Sequence, residues 1–122
     1  MQGGASPSAR QRTGPTVPLP AVPIDGRSKF RNLASGKVLA NPQGSRDNGT
    51  EMIQWDDTGD TDQVWSLEPG PNGGLRIRNL ASRKLLANPQ GSRNNGTTMI
   101  QWEDTGETDQ EWTFDPPLGQ GR

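Results

Sequence analysis

The chain of 122 residues contains no cysteine, no histidine and no tyrosine. The lack of cysteine excludes disulfides, thiolate nucleophiles and cysteine-ligated metals, and the lack of histidine excludes imidazole-based catalytic triads. No apolar run approaches the roughly 18–20 residues that a membrane-spanning helix needs. The first residues also lack a signal-peptide-like apolar stretch. We therefore expect no membrane partner, and a cytoplasmic location, or a secreted one if the chain is excised from a larger protein.

The net charge and the apolar content of this sequence are both low. Thirteen Lys and Arg residues face 14 Asp and Glu residues, which gives a formal net charge of −1. Because dedicated DNA- and RNA-binding proteins usually have a basic excess, we expect no nucleic-acid partner. Only 27% of the residues are hydrophobic, so any core is small. Nothing in the composition indicates a cofactor, and we expect none.

Residues 1–27 differ in composition from the rest of the chain. They contain five of the 11 prolines. Proline fixes φ and lacks a backbone N–H, which disfavours both a helix and a central strand. We therefore predict a disordered leader or linker over residues 1–27, with a proline-rich ligand for another domain as the alternative.

An internal repeat organises the remainder of the chain. Residues 28–69 (unit 1) align without a gap on residues 75–116 (unit 2), at an offset of 47, with 29 of 42 positions identical. The longest shared stretch is Leu39–Arg46, which returns as Leu86–Arg93. Such self-similarity predicts two copies of one supersecondary unit, followed by a short tail over residues 117–122.

Each unit has the pattern of short strands separated by turns. Asn48-Gly49 and Asn95-Gly96 are turn dipeptides, and Asn72-Gly73-Gly74 connects the units. Helical periodicity is absent, which predicts an all-β fold. The predicted strands are approximately 29–33, 37–41, 51–55 and 63–68 in unit 1, and 75–80, 84–88, 98–102 and 110–114 in unit 2. The predicted core consists of Phe30, Leu33, Leu39, Ile53, Trp65, Leu67, Ile77, Leu80, Leu86, Ile100, Trp112 and Phe114.

Three motifs recur in the same order in both units. In unit 1 they are Asn32-Leu33-Ala34-Ser35-Gly36-Lys37-Val38-Leu39, Ile53-Gln54-Trp55 and Gln63-Val64-Trp65, and unit 2 ends with Gln110-Glu111-Trp112. This ordered set resembles the ricin B-type lectin family, whose β-trefoil contains three such units about a pseudo-threefold axis. The resemblance implies an incomplete β-trefoil with two of three repeats. We expect either self-association that completes the barrel or a chain that is a fragment of a larger protein.

The resemblance also implies a carbohydrate site in each unit, with some substitutions. Sugar-binding members place an Asp where this chain has Ala40 and Ala87, and an Asn where it has Asp62 and Asp109. The predicted sugar-binding residues are Trp55, Asp62, Gln63 and Asn41 in unit 1, and Trp102, Asp109, Gln110 and Asn88 in unit 2. The tryptophans would stack on the sugar, the aspartates would replace the missing carboxylate, and the glutamines would brace the site. Asn41 and Asn88 adjoin the missing position, although strand alternation argues against their reaching the ligand.

Other interpretations of these residues remain open. Trp55 and Trp102 are also expected to pack under a neighbouring loop if the units bind no sugar. The two alanines then favour a protein-interaction or structural module. Asn48-Gly49-Thr50 and its repeat match a glycosylation acceptor as well as a turn.

The acidic loops at 56–62 and 103–109 suggest calcium, but their spacing lacks the closing Glu of a twelve-residue calcium loop, so we expect solvated loops and no metal. We expect no enzyme, because no apolar segment surrounds these carboxylates to raise the pKa of a general acid.

Overall fold

The computed structural model describes residues 26–117. Most of the predicted disordered leader and most of the predicted tail lie outside these residues. Within residues 26–117 the chain forms seven short β-strands and four single-turn 3₁₀ helices, and no α-helix. The strands are β1 (Arg27–Ser28), β2 (Val38–Ala40), β3 (Ile53–Trp55), β4 (Trp65–Pro69), β5 (Leu75–Asn79), β6 (Leu85–Ala87) and β7 (Ile100–Trp102). The all-β prediction is confirmed.

The strand pairing repeats from one unit to the next. In unit 1, β2 pairs with β3 and places Val38 opposite Trp55. In unit 2, β6 pairs with β7 and places Leu85 opposite Trp102 in the same register. Strands β4 and β5 form the antiparallel hairpin that joins the units, and the larger sheet has the order β1-β4-β5-β6-β7. The described chain is therefore two copies of one hairpin-based unit, as the repeat predicts.

Four 3₁₀ helices connect these strands at equivalent places in the two units. They are Pro42–Gly44 and Thr61–Gln63 in unit 1, and Pro89–Gly91 and Thr108–Gln110 in unit 2. The helix after β2 begins with a proline, whose fixed φ suits the first helical position. Each Thr-Asp-Gln helix then precedes the position of a buried or half-buried tryptophan, Trp65 or Trp112.

A small apolar core lies between the units. Met52, Trp65, Leu67, Ile77 and Leu86 form its buried centre, and Phe30, Leu39, Met99, Trp112 and Phe114 pack around it. The indole N–H of Trp65 donates to the carbonyl oxygen of Leu39 at 3.2 Å, and Trp112 makes the same bond to Leu86 at 3.1 Å. Each tryptophan thus fills the core and ties the last part of its unit to the second strand, while its one polar atom stays paired.

Two residues of the predicted core are exposed. Leu33 is 99% exposed and Ile53 is 38% exposed. Leu33 lies at a turn that is closed by the Gly36 amide donating to the Asn32 carbonyl at 2.7 Å. Its counterpart Leu80 is half-buried, because it lies against unit 1, whereas within the described residues no unit covers Leu33. The prediction that Leu33 belongs to the core is wrong for this reason. The same prediction for Ile53 is wrong because Ile53 lines a surface pocket with Trp55.

The predicted strands are also longer than the observed ones. The segment 29–33 contributes a single bridge between Arg31 and Val38, and 110–114 contributes a single bridge between Leu75 and Trp112. The first strand begins instead at Arg27, where it pairs with Ser66. Gln63 and Gln110 lie in 3₁₀ helices and not in strands.

Candidate carbohydrate pockets

Each unit has a surface pocket at the same place, between the turn after its second strand and its acidic loop. The two pockets have volumes of about 300 Å³ each. The unit-1 pocket is lined by Ala40, Asn41, Pro42, Gln43, Ile53, Trp55, Thr58, Asp60, Asp62 and Gln63. The unit-2 pocket is lined by Ala87, Asn88, Pro89, Gln90, Ile100, Trp102, Thr105, Glu107, Asp109 and Gln110. All eight residues predicted as site residues lie in these two sets.

Trp55 and Trp102 present their indole rings on the outer side of the pockets. Trp55 is 57% exposed and Trp102 is 39% exposed. Both end a strand, and residues two apart on a strand share a face, so Ile53 lies on the same pocket wall as Trp55. An exposed indole beside an apolar neighbour is a flat surface against which the C–H face of a sugar can stack. Trp102 also lies against the loop of unit 1, because a Cβ placed on Gly49 would be 3.8 Å from its Cζ3, so packing against a loop stays the alternative interpretation of this residue.

Gln63 and Gln110 hold the acidic loops in place. Gln63 is 1% exposed; its Nε2 donates to the Asp56 carbonyl at 2.7 Å and its Oε1 accepts from the Thr58 amide at 2.9 Å. Gln110 makes the same two bonds, to Glu103 at 2.6 Å and from Thr105 at 3.0 Å. Their side-chain amides are occupied by the loop, so they brace the pocket wall.

Asp62 and Asp109 are half-buried in the pockets. Burial raises the pKa of the Asp62 carboxyl above its ordinary value, and the charge of Asp60 raises that pKa further. The backbone amide of Gly44 donates to this carboxyl and opposes these two effects, because it lowers the pKa of Asp62. As pocket carboxylates, Asp62 and Asp109 can accept hydrogen bonds from sugar hydroxyls.

Asn41 and Asn88 support the turn at the pocket edge. Asn41 is fully buried, and its Nδ2 donates to the carbonyl of Ser45 at 2.8 Å and to Oδ1 of Asn79 at 3.3 Å. Asn88 donates from Nδ2 to Ser92 at 2.9 Å. In this geometry the amide donors hold the chain that forms the pocket, so direct ligand contact by Asn41 and Asn88 stays a prediction.

Sequence reasoning missed further residues of the pockets, including one acidic residue and one glutamine in each. Asp60 and Glu107 line them beside the predicted aspartates, and Gln43 and Gln90 stand at the opposite wall. The two glutamines are exposed and have left-handed backbone conformations, with φ of 55° and 54°. Such strained positions cluster at functional sites. An acidic residue two positions before each predicted aspartate was the available signal for the first pair.

The pockets are acidic and contain no basic lining residue. In the adjoining loop, Asp56 pairs with Lys37 at 2.6 Å, and Asp57 pairs with Lys29 and Arg31 at 2.9 Å each. Within residues 26–117, no Lys or Arg forms a comparable ion pair with Asp60 or Asp62. Within the acidic loop of unit 1, the carboxylates without an ion pair are therefore the two that line the pocket.

Two further properties of the described residues limit the chemistry. They contain no group of three or more acidic, histidine or cysteine side chains positioned to hold a metal ion. They also contain no helix long and apolar enough to cross a membrane.

These features define the class of the protein: an all-β repeat module with two equivalent, tryptophan-edged surface pockets. Residues 22–102 and 69–121 match the model of ricin-type β-trefoil lectin-like domains. The chain therefore belongs to the ricin-type β-trefoil lectin-like family. A comparison with curated protein sequences gives no match.

Solved structures share this fold. The designed threefold-symmetric protein ThreeFoil is 28% identical with a TM-score of 0.69, over 77% of this chain and 68% of ThreeFoil. An exo-β-1,3-galactanase from Clostridium thermocellum is 33% identical with a TM-score of 0.68, over 82% of this chain and 22% of the enzyme. A Polyporus squamosus lectin bound to a human-type influenza-binding epitope is 25% identical with a TM-score of 0.62, over 78% of this chain and 33% of the lectin. The chain thus spans about two thirds of ThreeFoil and a third or less of the two natural proteins.

Proposed function

We propose that the protein is a non-catalytic carbohydrate-binding module with one sugar site in each unit. The observation that supports this most strongly is the pairing of an exposed tryptophan with a half-buried aspartate across the same pocket, in both units. The tryptophan supplies a stacking surface, and the aspartate supplies hydrogen-bond acceptors in a fixed direction. Binding sites in proteins commonly combine such an apolar wall with a few placed polar groups.

The similar proteins support the same class of function. One is an enzyme named for a galactan substrate, and another is a lectin with a bound glycan epitope. The enzyme is far longer than this chain, which covers only 22% of it, so the likeness carries no catalytic activity over to this chain. We therefore infer glycan binding without hydrolysis for this chain.

The charge of the pockets indicates the class of sugar. Asp60 and Asp62 line one pocket, Glu107 and Asp109 line the other, and no basic residue lines either. A uronic or sialic acid would place its carboxylate beside these carboxylates, and like charges at such distances repel. We propose that the ligands are neutral glycans.

Each shallow site is expected to bind weakly on its own. Two sites on one chain raise the overall affinity for a polymer, because the second binding event becomes intramolecular. A polysaccharide with repeating sugars is therefore a better ligand for this protein than a monosaccharide.

A glycan array that includes neutral and acidic polysaccharides tests the proposal. We expect retention on one or more neutral glycans and none on polyuronates. The absence of binding to every glycan would contradict the proposed function. Binding to polyuronates alone would contradict the assignment to neutral sugars while leaving a glycan-binding function.

A second candidate is a protein-interaction module with the same fold. Ala40 and Ala87 support this alternative, because they occupy the position where sugar-binding relatives place an aspartate. The two candidates differ in one readily measured property. An interaction module binds no glycan, whereas a lectin binds at least one.

A further inference from the structure

Several equivalent residues are buried or half-buried in unit 2 and exposed in unit 1. Gln101 is fully buried, whereas its counterpart Gln54 is exposed. Leu80 is half-buried, whereas its counterpart Leu33 is 99% exposed. We call the surface of unit 1 that contains Asn32, Leu33, Gln54 and Trp55 the open face. Because the sequences at these positions are identical, the neighbour and not the sequence decides their burial.

The neighbour that covers this surface in unit 2 is unit 1. Gln101 donates from Nε2 to the carbonyls of Ser45 and Asp47 at 2.9 and 3.0 Å. The Glu103 amide donates to Oδ1 of Asn48 at 2.9 Å. The loop of unit 1 that follows the 3₁₀ helix Pro42–Gly44 therefore packs on strand β7 of unit 2.

Two more bonds join the units beside that loop. The Leu80 amide donates to the Val64 carbonyl at 2.8 Å. Asn79 donates from Nδ2 to the Asp62 carbonyl at 3.0 Å. Four residues of unit 2 thus bind backbone or side-chain acceptors of unit 1. We call the surface of a unit that presents these acceptors its trailing edge. In unit 1 it consists of Ser45, Asp47, Asn48, Asp62 and Val64.

Unit 2 presents the same acceptors on its own trailing edge. Its loop contains Ser92, Asn94 and Asn95 where unit 1 has Ser45, Asp47 and Asn48, and its last segment contains Asp109 and Glu111. Within the described residues, the Nε2 amide of Gln54 donates to no partner, and the only recorded bond of this side chain is the one its Oε1 accepts from Ser35 at 2.8 Å. Residues 26–117 therefore contain both halves of a second contact, and these two halves do not meet within the described part of the chain.

A groove of about 410 Å³ lies beside the open face. Its lining combines the apolar residues Phe30, Leu39, Met52 and Ile53 with the polar or charged residues Arg31, Asn32, Lys37 and Gln54. The apolar part of such a surface gains free energy when a partner covers it.

We propose that the open face binds the trailing edge of unit 2 from a second copy of this chain. The partner is a second copy because, within one chain, the trailing edge of unit 1 already binds the face of unit 2 that is equivalent to the open face. The proposal goes beyond sugar binding and does not depend on it.

The threefold symmetry of the similar ThreeFoil structure indicates how many copies assemble. ThreeFoil is a closed ring of three equivalent units, and this chain covers 68% of it. A ring that already contains the two units of one chain therefore has space for only one more unit. A second copy can contribute only one of its two units to that ring. Its other unit then belongs to a different ring, which requires the two units to separate at the connector Gly70–Gly74. Three chains then complete two rings. Separate chains contain one unit–unit contact each, whereas each closed ring contains three, so assembly doubles the number of contacts.

Sedimentation equilibrium of the full chain at micromolar concentrations tests the proposal. We expect a mass three times the chain mass of 13.2 kDa. Leu33→Asp and Gln54→Ala should each reduce it to the mass of one chain, whereas the conservative control Leu33→Met should behave like the wild type. Near-ultraviolet circular dichroism checks that each variant is folded, and if Leu33→Asp is not, Gln54→Ala decides.

A wild-type protein that stays at 13.2 kDa, or one that forms polymers of undefined length, would overturn the proposal. Trimers that persist in the folded Leu33→Asp and Gln54→Ala variants would overturn it as well. Glycan binding by a monomeric wild type would refute the assembly while leaving the proposed function intact.

Discussion

Gln101 of unit 2 donates a hydrogen bond of 2.9 Å from its Nε2 to the backbone carbonyl of Ser45 in unit 1. The same nitrogen reaches the Asp47 carbonyl at 3.0 Å, and the Oε1 of Gln101 accepts from Ser82 at 2.8 Å. One buried amide therefore holds two units and a turn together. Its counterpart Gln54 has an identical local sequence and no such partner in the described chain.

Gln101→Ala should destabilise the protein much more than Gln54→Ala. The first change removes a buried side chain and its two hydrogen bonds to unit 1, and each such bond contributes about 0.5–1.5 kcal/mol. The second removes an exposed side chain, and exposed changes usually stay within about 0.5 kcal/mol. Urea denaturation at concentrations where the chain is monomeric measures both. Equal effects of the two substitutions would show that the contact between Gln101 and the loop of unit 1 is unimportant.

The ion pair between Glu68 and Arg78 should make the stability depend on acid pH. Arg78 donates to both carboxylate oxygens, at 2.7 and 2.9 Å, and this lowers the pKa of Glu68 below its ordinary value of 4.5. The stabilisation is therefore present above pH 4.5 and is lost as the pH falls through the lower pKa of the folded state. Glu68→Gln should be less stable by about 1 kcal/mol at neutral pH. That difference should shrink in acid, and a difference that is constant with pH would contradict the assignment.

Sugar binding in the unit-1 pocket should weaken at mildly acid pH. Burial and the neighbouring Asp60 raise the pKa of Asp62 above 3.8, so this carboxylate becomes protonated and loses acceptor capacity while ordinary aspartates are still charged. A Trp102→Ala variant isolates the unit-1 pocket for a titration across this range. Asp62→Asn in that background should abolish the pH dependence. A pH profile that the Asn variant shares would mean that another group is responsible.

Glu111 should order the connector between the units. Its carboxylate accepts from the Asn72 amide at 3.0 Å and from the Gly74 amide at 2.9 Å. We expect faster hydrogen exchange at the Asn72 and Gly74 amides in Glu111→Ala, with the sugar pockets unaffected. If the proposed opening of the connector is correct, this variant should also assemble faster. Unchanged exchange at both amides would refute the role of Glu111.

The sequence was sufficient to predict what the two units have in common. The repeat, the all-β class and the core position of Trp65 follow from residue patterns, and the structure places them accordingly. The sequence was not sufficient to predict where the environments of the two units differ. Leu33 and Leu80 have the same neighbours in sequence but opposite exposures, since burial depends on the adjoining unit.

The pocket was only partly predictable for a related reason. Asp60, Glu107, Gln43 and Gln90 lie in turns, and their distance from the tryptophans is set by how the loops fold over the hairpin. The raised pKa of Asp62 likewise depends on how the fold buries this carboxyl. Neither effect has a sequence period that would reveal it.

The central claim is that Trp55 and Trp102 form two sugar sites. Calorimetric titration with a neutral polysaccharide identified on the array tests it most directly, comparing the wild type with Trp55→Ala, Trp102→Ala and the double variant. The matched control is Thr113→Ala, an exposed position outside both pockets. We predict about tenfold weaker binding, or about 1.4 kcal/mol, in each single variant, no binding in the double variant, and wild-type affinity in the control. Undiminished binding by the folded double variant would contradict the account.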